Sequence, residues 1–417
     1  MIRPDDTVES VTLLVQDADS DSNVKTVERP NNAVKILFLD GVRGLAALLV
    51  VVQHSHEYMQ ELNLGACAVD AFFVLSSFLL TMLFMKKSIK LLAQGASSRT
   101  WAFALADYFS KRFLRVYPLF ALVIFILWML PDESKTQYFR IQQPENFDLF
   151  KVLTFDFDHR YFVLWTLPLE IAYYFFIPLF VFVVLKLNKF WWLPFVPAYS
   201  WSMYQGWTVY RWDHMPLSPH FPTFIAGSMA AVIYVKLDTW MKGNKLKPRP
   251  VTLYAIRALQ VSALSLMISL SFQGLFFHWI HSNIAPATPG FPFISVLLTL
   301  VLVIEMLFPS GLSTLFEWSA LRYCGKVSFS IYLLHGFVIY SEAVSSQTNY
   351  YDRMFSRFGL TILLATASYH LVEFPSQRLA QLFTQELAKQ EARGPTGIMD
   401  AIVCKVRAST SSKAAWA

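Results

Sequence analysis

Apolar residues run in blocks of about twenty along nearly the whole chain, and polar residues gather in the short stretches between them. A helix needs roughly twenty apolar residues to cross ~30 Å of hydrocarbon, so each block predicts a membrane span. The blocks lie near 36–59, 66–85, 113–130, 162–187, 190–209, 220–236, 253–275, 291–308, 327–344 and 355–373. The fifth, with Trp191, Trp192, Pro194 and Pro197, fits the pattern least well. The expected fold is all-α: a polytopic integral membrane protein of about ten transmembrane helices, since a helix satisfies its own backbone polar groups in lipid.

Outside these blocks the character changes. Residues 1–35 carry Asp5, Asp6, Glu9, Asp17, Asp19 and Asp21 and have no apolar leader core, which reads as a disordered, acidic cytosolic tail. Residues 379–417, ending rich in Ala, Ser and Lys, read as a cytosolic C-terminal tail. The membrane domain is then 36–378. Lys86, Lys87, Lys90, Arg99, Lys111 and Arg112 crowd the second connection, and Lys236, Lys242, Lys245, Lys247 and Arg249 the sixth. Positive connections belong in the cytosol, which puts both termini there for ten spans. The third connection, with Lys135, Arg140, Lys151 and Arg160 among six acids, runs against that pattern.

Composition supports the membrane reading. The chain is 55% hydrophobic and 15% charged, too apolar for a soluble protein of 417 residues. Its net charge of +6 comes mainly from the cytosolic connections and suits lipid headgroups or an anionic cytosolic substrate rather than nucleic acid. Cys67, Cys324 and Cys404 cannot build a disulfide framework and lack metal-ligand spacing, so no metal is expected. There is no GxSxG elbow and no phosphate loop.

Within the first span Arg43 and His54 stand eleven residues apart, which returns them to within ~20° of one helical face, about 16 Å apart along the axis. Ionisable groups in a span cost about 2.5–3.5 kcal/mol on insertion scales, so such a stripe asks for a function. On the expected topology His54, Asp70 and Glu170 lie in the outer half, and Arg43, Arg115, Arg322 and Glu373 near the cytosolic ends, with His335 in between. A histidine beside carboxylates suits a general base acting on a hydroxyl, and cations at the other mouth suit a phosphate-bearing donor. His56 points roughly 200° away from His54 and reads as interfacial. A proton-coupled transporter would also place Arg, His and Glu in spans, although neither paired broken helices nor internal repeats are found.

Five ordered blocks carry a resemblance. LDGVRGLAALLVVVQH, CAVDAFFVLSSFLLT, YFSKRFLRVYPLF, LWTLPLEIAYYFFIP and the terminal pair CGKVSFSIYLLHGFVIY and YHLVEFP resemble the signature blocks of the acyltransferase 3 family, in order, over about 37–378. The resemblance is to the family's fungal members. It implies transfer of an acyl group, usually acetyl, from acyl-CoA as cosubstrate to a hydroxyl of a small or membrane-partitioned acceptor, here a secondary metabolite, with a glycan as the alternative acceptor. It further implies His54 as the catalytic base and Arg43 on the coenzyme A side, and it carries over Glu170; the placement of charges by depth adds Arg115 to the donor's phosphates and Glu170 or Asp70 to orient His54. The endoplasmic reticulum or another endomembrane is the expected location, the plasma membrane the alternative. Where the family has other residues, this chain has Ser77, Pro168, Ile171 and Phe374. Pro168 is expected to free a backbone carbonyl near Glu170.

The topology makes a direct prediction. Cysteines introduced at 88–100 or 240–248, after the native ones are replaced, should react with impermeant reagents only once the cytosolic face is opened, and those at 62–64 or 284–288 only from the other face. Labelling of 88–100 and 62–64 from one side would remove the second span.

Overall fold

The computed structural model describes residues 32–59, 62, 64–209, 211, 215–245, 248–272, 274–277 and 293–392. The acidic tail through residue 31, residues 393–417 with Cys404, and the expected loop positions 63, Lys247 and 284–288 lie outside the described residues. Every regular element among those described is helical. In chain order they are α1 (Asn32–Ser55), α2 (Leu64–Ala93), α3 (Ser98–Met129), α4 (Asp132–Phe139), α5 (Leu149–Leu153), α6 (Thr166–Lys186), α7 (Phe195–Thr208), α8 (Leu217–Gly243) and α9 (Pro250–Ser271). There follow α10 (Phe293–Leu307), α11 (Gly311–Phe316), α12 (Ser319–Lys326), α13 (Ser328–Ile339), α14 (Glu342–Ser345), α15 (Tyr350–Ser368) and α16 (Phe374–Ala392).

Among the described residues six stretches are long and apolar enough to cross a membrane: Leu37–Ser55, Leu64–Ala93, Ser98–Met129, Phe162–Lys186, Leu217–Gly243 and Pro250–Ser271. Apolar side chains on these helices face outward, among them Phe125, Trp128, Phe175, Phe182 and Val261, as a lipid-contacting surface requires. The chain is thus a multi-pass, all-helical membrane protein. The expected count of ten is not established. The fifth block forms a helix of only 14 residues, α7. The eighth and ninth give the shorter apolar helices Ile294–Leu307 and Ser328–Ile339, and α15 carries Asp352, Arg353 and Arg357 in its first half. The segment 379–392, at the start of the expected C-terminal tail, is the later part of α16.

Contacts divide the chain into two units, Met1–Lys86 with Ala121–Tyr369, and Lys87–Phe120 with His370–Ala417. In the first unit α1 packs against α11, α12 and α13, α13 also against α15, and α8 against α6, α7 and α10. Glycines set the α1 seam. A Cβ on Gly44 would stand 2.0 Å from the Leu321 carbonyl oxygen, one on Gly41 1.8 Å from that of Phe316, and one on Gly325 1.8 Å from that of Asp40. Only hydrogen fits at these three places, and backbones approach closely where side chains are absent. Glu305, 1% exposed, holds α11 in position: its carboxylate accepts from the backbone and hydroxyl of Ser310 and Ser313 at the start of α11 and from Gln260 of α9.

In the second unit Asp107 of α3 accepts from Lys87 (2.7 Å), from Lys111 (3.1 Å) and from the Thr384 hydroxyl of α16 (2.8 Å). Arg99 donates to the Gln390 carbonyl at 2.7 Å. These bonds tie the end of α2, the start of α3 and α16 together.

The seam predicts opposite effects at two helical glycines. Gly44→Ala or Gly325→Ala should lower the thermal midpoint of the purified protein, since overpacking costs about 1–3 kcal/mol. Gly359→Ala in α15, where a Cβ meets nothing within 4 Å, should be neutral or stabilising by up to about 1 kcal/mol. Equal effects at both would dissolve the seam.

Candidate active site at the end of the first helix

His54 occupies the last turn of α1 and is half-buried. Two rings lie against it: Phe162, edge-on at 4.8 Å between centroids, and His335 of α13 at 5.1 Å. Phe162 also packs on His335 at 5.4 Å and on Tyr340 at 5.7 Å. The contact depends on Gly336, where a Cβ would come within 2.7 Å of the Tyr138 carbonyl and 3.0 Å of the Phe162 ring.

His335 is fully buried, and its Nδ1 lies 3.1 Å from the Ile331 carbonyl oxygen. A carbonyl can only accept, so Nδ1 carries the proton and the neutral ring keeps its lone pair on Nε2. That Nε2 has no hydrogen-bond partner among the described residues. An acceptor held in a known tautomer, one ring from His54, is a positioned group rather than a packing filler.

The backbone is unusual at the same place. His56, Arg140 and Phe162, none of them glycine, have φ of 50°, 49° and 42°. Left-handed backbone costs a non-glycine residue about 1–2 kcal/mol and persists where surrounding contacts enforce it, often at functional sites. Arg140 ends α4, and its guanidinium lies over the Tyr340 ring, 4.7 Å from the centroid. Arg140 and His56 are both within electrostatic reach of His54.

The two carboxylates expected beside His54 each have another partner. Asp70, 2% exposed, takes both of its oxygens to Arg211 at 2.8 and 2.7 Å, and Arg211 also donates to Thr223 at 3.1 Å. Depth along the helix could not reveal an arginine arriving from a connection between helices. Glu170 is half-buried in α6 and accepts from the Tyr174 hydroxyl at 2.7 Å. Phe162 and His335 are the rings that lie against His54. Pro168 does not interrupt a helix. It stands in the first turn of α6, where a missing N–H removes no helical bond.

Arg43 is half-buried on α1 between Gly41 and Gly44 and belongs to the first unit, whereas Arg115 lies half-buried on α3 in the second. Arg322 is on α12, and Glu373, 3% exposed, lies in the π turn Tyr369–Glu373 of the second unit. Among the described residues no group of three or more His, Cys, Asp or Glu could hold a metal ion.

The family model of the acyltransferase domain, acyltransferase 3, matches residues 36–368. The chain belongs to the acyltransferase 3 family. Two proteins of Staphylococcus aureus, strains COL and N315, each named "Putative O-acetyltransferase", are 26% identical to it over 376 residues, covering 82% of this chain and 57% of each relative. "Protein 2 in picA locus" of Rhizobium radiobacter is 32% identical over 94 residues, 22% of this chain and 44% of that protein. The chain therefore spans little more than half the length of the S. aureus relatives. No solved structure matches it.

In this acyltransferase 3 chain the His54 end of α1 is tied to α15 by Glu57. Arg353 Nε donates to Glu57 Oε1 at 3.0 Å and Oε2 at 3.2 Å, and Arg357 also donates to Oε2. The Arg353 hydrogen bond, followed by the positive charges of Arg357 and Arg353, holds the Glu57 carboxyl below its ordinary value of 4.5. A carboxylate depressed in the folded state adds stability above its unfolded pKa and loses it as pH falls through the lower, folded value. Glu57→Gln should therefore lower the thermal midpoint at neutral pH. The gap from wild type should close on acidification below 4.5; a gap independent of pH would show that the charge is not what holds α15.

Proposed function

We propose that the protein is a membrane O-acyltransferase in which His54 is the general base. The observation that carries this reading is the His54–His335–Phe162 cluster: a half-buried imidazole at a helix end, against a second, fully buried imidazole of fixed tautomer, in a chain of the acyltransferase 3 family. His54 takes the proton of an acceptor hydroxyl, and the oxygen attacks the thioester carbonyl of an acyl-CoA, acetyl-CoA in the first instance. Collapse of the tetrahedral intermediate breaks the carbon–sulfur bond, and the proton on His54 passes to the departing thiolate. His335, packed against the His54 ring, keeps it oriented, the part first assigned to Asp70 or Glu170.

Arg43 faces the donor on this reading. A guanidinium on the stripe of His54, about 16 Å away along α1, suits the phosphates of a donor whose thioester reaches the imidazole through a long flexible arm. Arg115 is a second candidate for those phosphates. A small or membrane-partitioned hydroxyl compound, in the class of secondary metabolites, is the proposed acceptor, and an endomembrane such as the endoplasmic reticulum the proposed site of action.

Comparative metabolite profiling of cells with wild type, His54→Ala or no protein tests the reading. One or more compounds heavier by a single acyl group should appear only with wild type, and transfer should fall about 10²–10⁴-fold in His54→Ala at equal protein level. Near-normal product from His54→Ala removes the base assignment. Arg43→Ala should raise the acyl-CoA concentration needed for half-maximal transfer, with Arg43→Lys recovering part of it; no change in either would reduce Arg43 to a packing role.

A further inference from the structure

Beside His54 stands a group of hydrogen-bond donors that no protein acceptor satisfies. Arg140 is exposed, and among the described residues it forms no ion pair; its guanidinium is laid on the Tyr340 ring. The Tyr340 hydroxyl is buried with no hydrogen-bond partner among the described residues, and so is the Nε of Arg357, a residue 7% exposed. Tyr340 touches Phe162, and Phe162 touches His54, so these donors begin two rings away from the imidazole.

The charge balance there is positive. The acid placed among these cations, Glu57, is shared between Arg353 and Arg357, so one of those two charges is offset and Arg140 is not. His56 adds no second acid. Burial, then the charges of Arg140 and Arg357, hold its imidazole below the ordinary histidine range of about 6.5, which also places both guanidiniums around it. A buried phenol and a buried guanidinium N–H left without acceptors are unfavourable, and one ligand with several acceptor oxygens would satisfy them together with the Arg140 guanidinium.

Resting on the reading of His54 as the base, we propose that the acceptor carries an anionic group, a carboxylate or a phosphate, and that Arg140 and the Tyr340 hydroxyl bind it while Arg357 flanks it. Anchoring the anion there leaves the acceptor's hydroxyl directed to His54, a spacing that suits a hydroxy acid, a sugar acid or a sugar phosphate. The left-handed backbone at Arg140 fixes where the guanidinium begins, so the site selects by position as well as by charge.

The test uses full-length protein in phosphatidylcholine nanodiscs and follows thermal unfolding by tryptophan fluorescence. The probes are matched pairs: D-glucuronate with D-glucuronamide, and glycerol 3-phosphate with glycerol. At least one anionic member should raise the midpoint of wild type while its neutral partner does not. Arg140→Gln should raise the half-saturating anion concentration about tenfold or more, with Arg140→Lys in between. His54→Ala should keep the anion response, so that loss of transfer in that variant and loss of anion binding in Arg140→Gln are read separately. Equal responses to the charged and neutral members of both pairs, or an unchanged response in Arg140→Gln, would overturn the proposal. An Arg140-dependent rise in phosphatidylglycerol discs without soluble anion would overturn it too, because the ligand would then be a lipid headgroup.

Discussion

The close approach of α1 to the α11–α13 segment is the constraint on which the site depends. At Gly41, Gly44 and Gly325 the backbones are too near for any side chain, so α1 can neither slide nor rotate there without a clash. A helix pinned at one end delivers its other end to a fixed place. Here that end carries His54, and the place is beside His335 of α13. The same device recurs at Gly336, which admits the Tyr138 backbone and the Phe162 ring close against α13 next to His335. Small residues thus position polar ones, in a setting where the lipid supplies no hydrophobic force between helices.

Buried charge is treated in two ways in this molecule. Asp70 with Arg211, Glu305 with Gln260, Ser310 and Ser313, and Asp107 with Lys87, Lys111 and Thr384 are each satisfied by neighbours, and each joins elements distant in sequence. Removing one partner from such a set would strand the other, which makes these residues necessary to the fold without making them chemical. Near His54 the pattern reverses. His335 Nε2, the Tyr340 hydroxyl and Arg357 Nε have no partners among the described residues, and the backbone is left-handed at three non-glycine positions. Groups of that kind await a ligand.

What the sequence made legible follows from periodicity and depth. Twenty-residue apolar blocks announce spans, and an eleven-residue spacing on one helix places Arg43 and His54 on one stripe whatever surrounds them. Depth alone did not identify neighbours. Asp70 and Glu170 shared a layer with His54, yet the pairing of Asp70 was decided by Arg211, which reaches it from a connection, and no helical pattern encodes that contact. Arg140 was visible only as a disturbance in the charge bias of the third connection; its place beside Tyr340 explains why a basic residue stands there. The positive φ of Phe162, which aims its ring at His54, has no signature in a chain without glycine at that position. Six of the ten blocks form helices long and apolar enough to cross a membrane among the described residues, for a related reason. Hydropathy sees apolar length, whereas a break at Val327 or the charges at the start of α15 shorten what a block can cross.

The central claim is that His54 and His335 form one reaction centre, and a double-mutant cycle on acyl transfer tests it most directly. If the two imidazoles act as a unit, the variant lacking both will transfer about as slowly as His54→Ala alone, because the contribution of His335 is expressed only through His54. If the losses from His54→Ala and His335→Ala instead multiply in the double variant, the residues act independently, and the paired site described for this protein is contradicted.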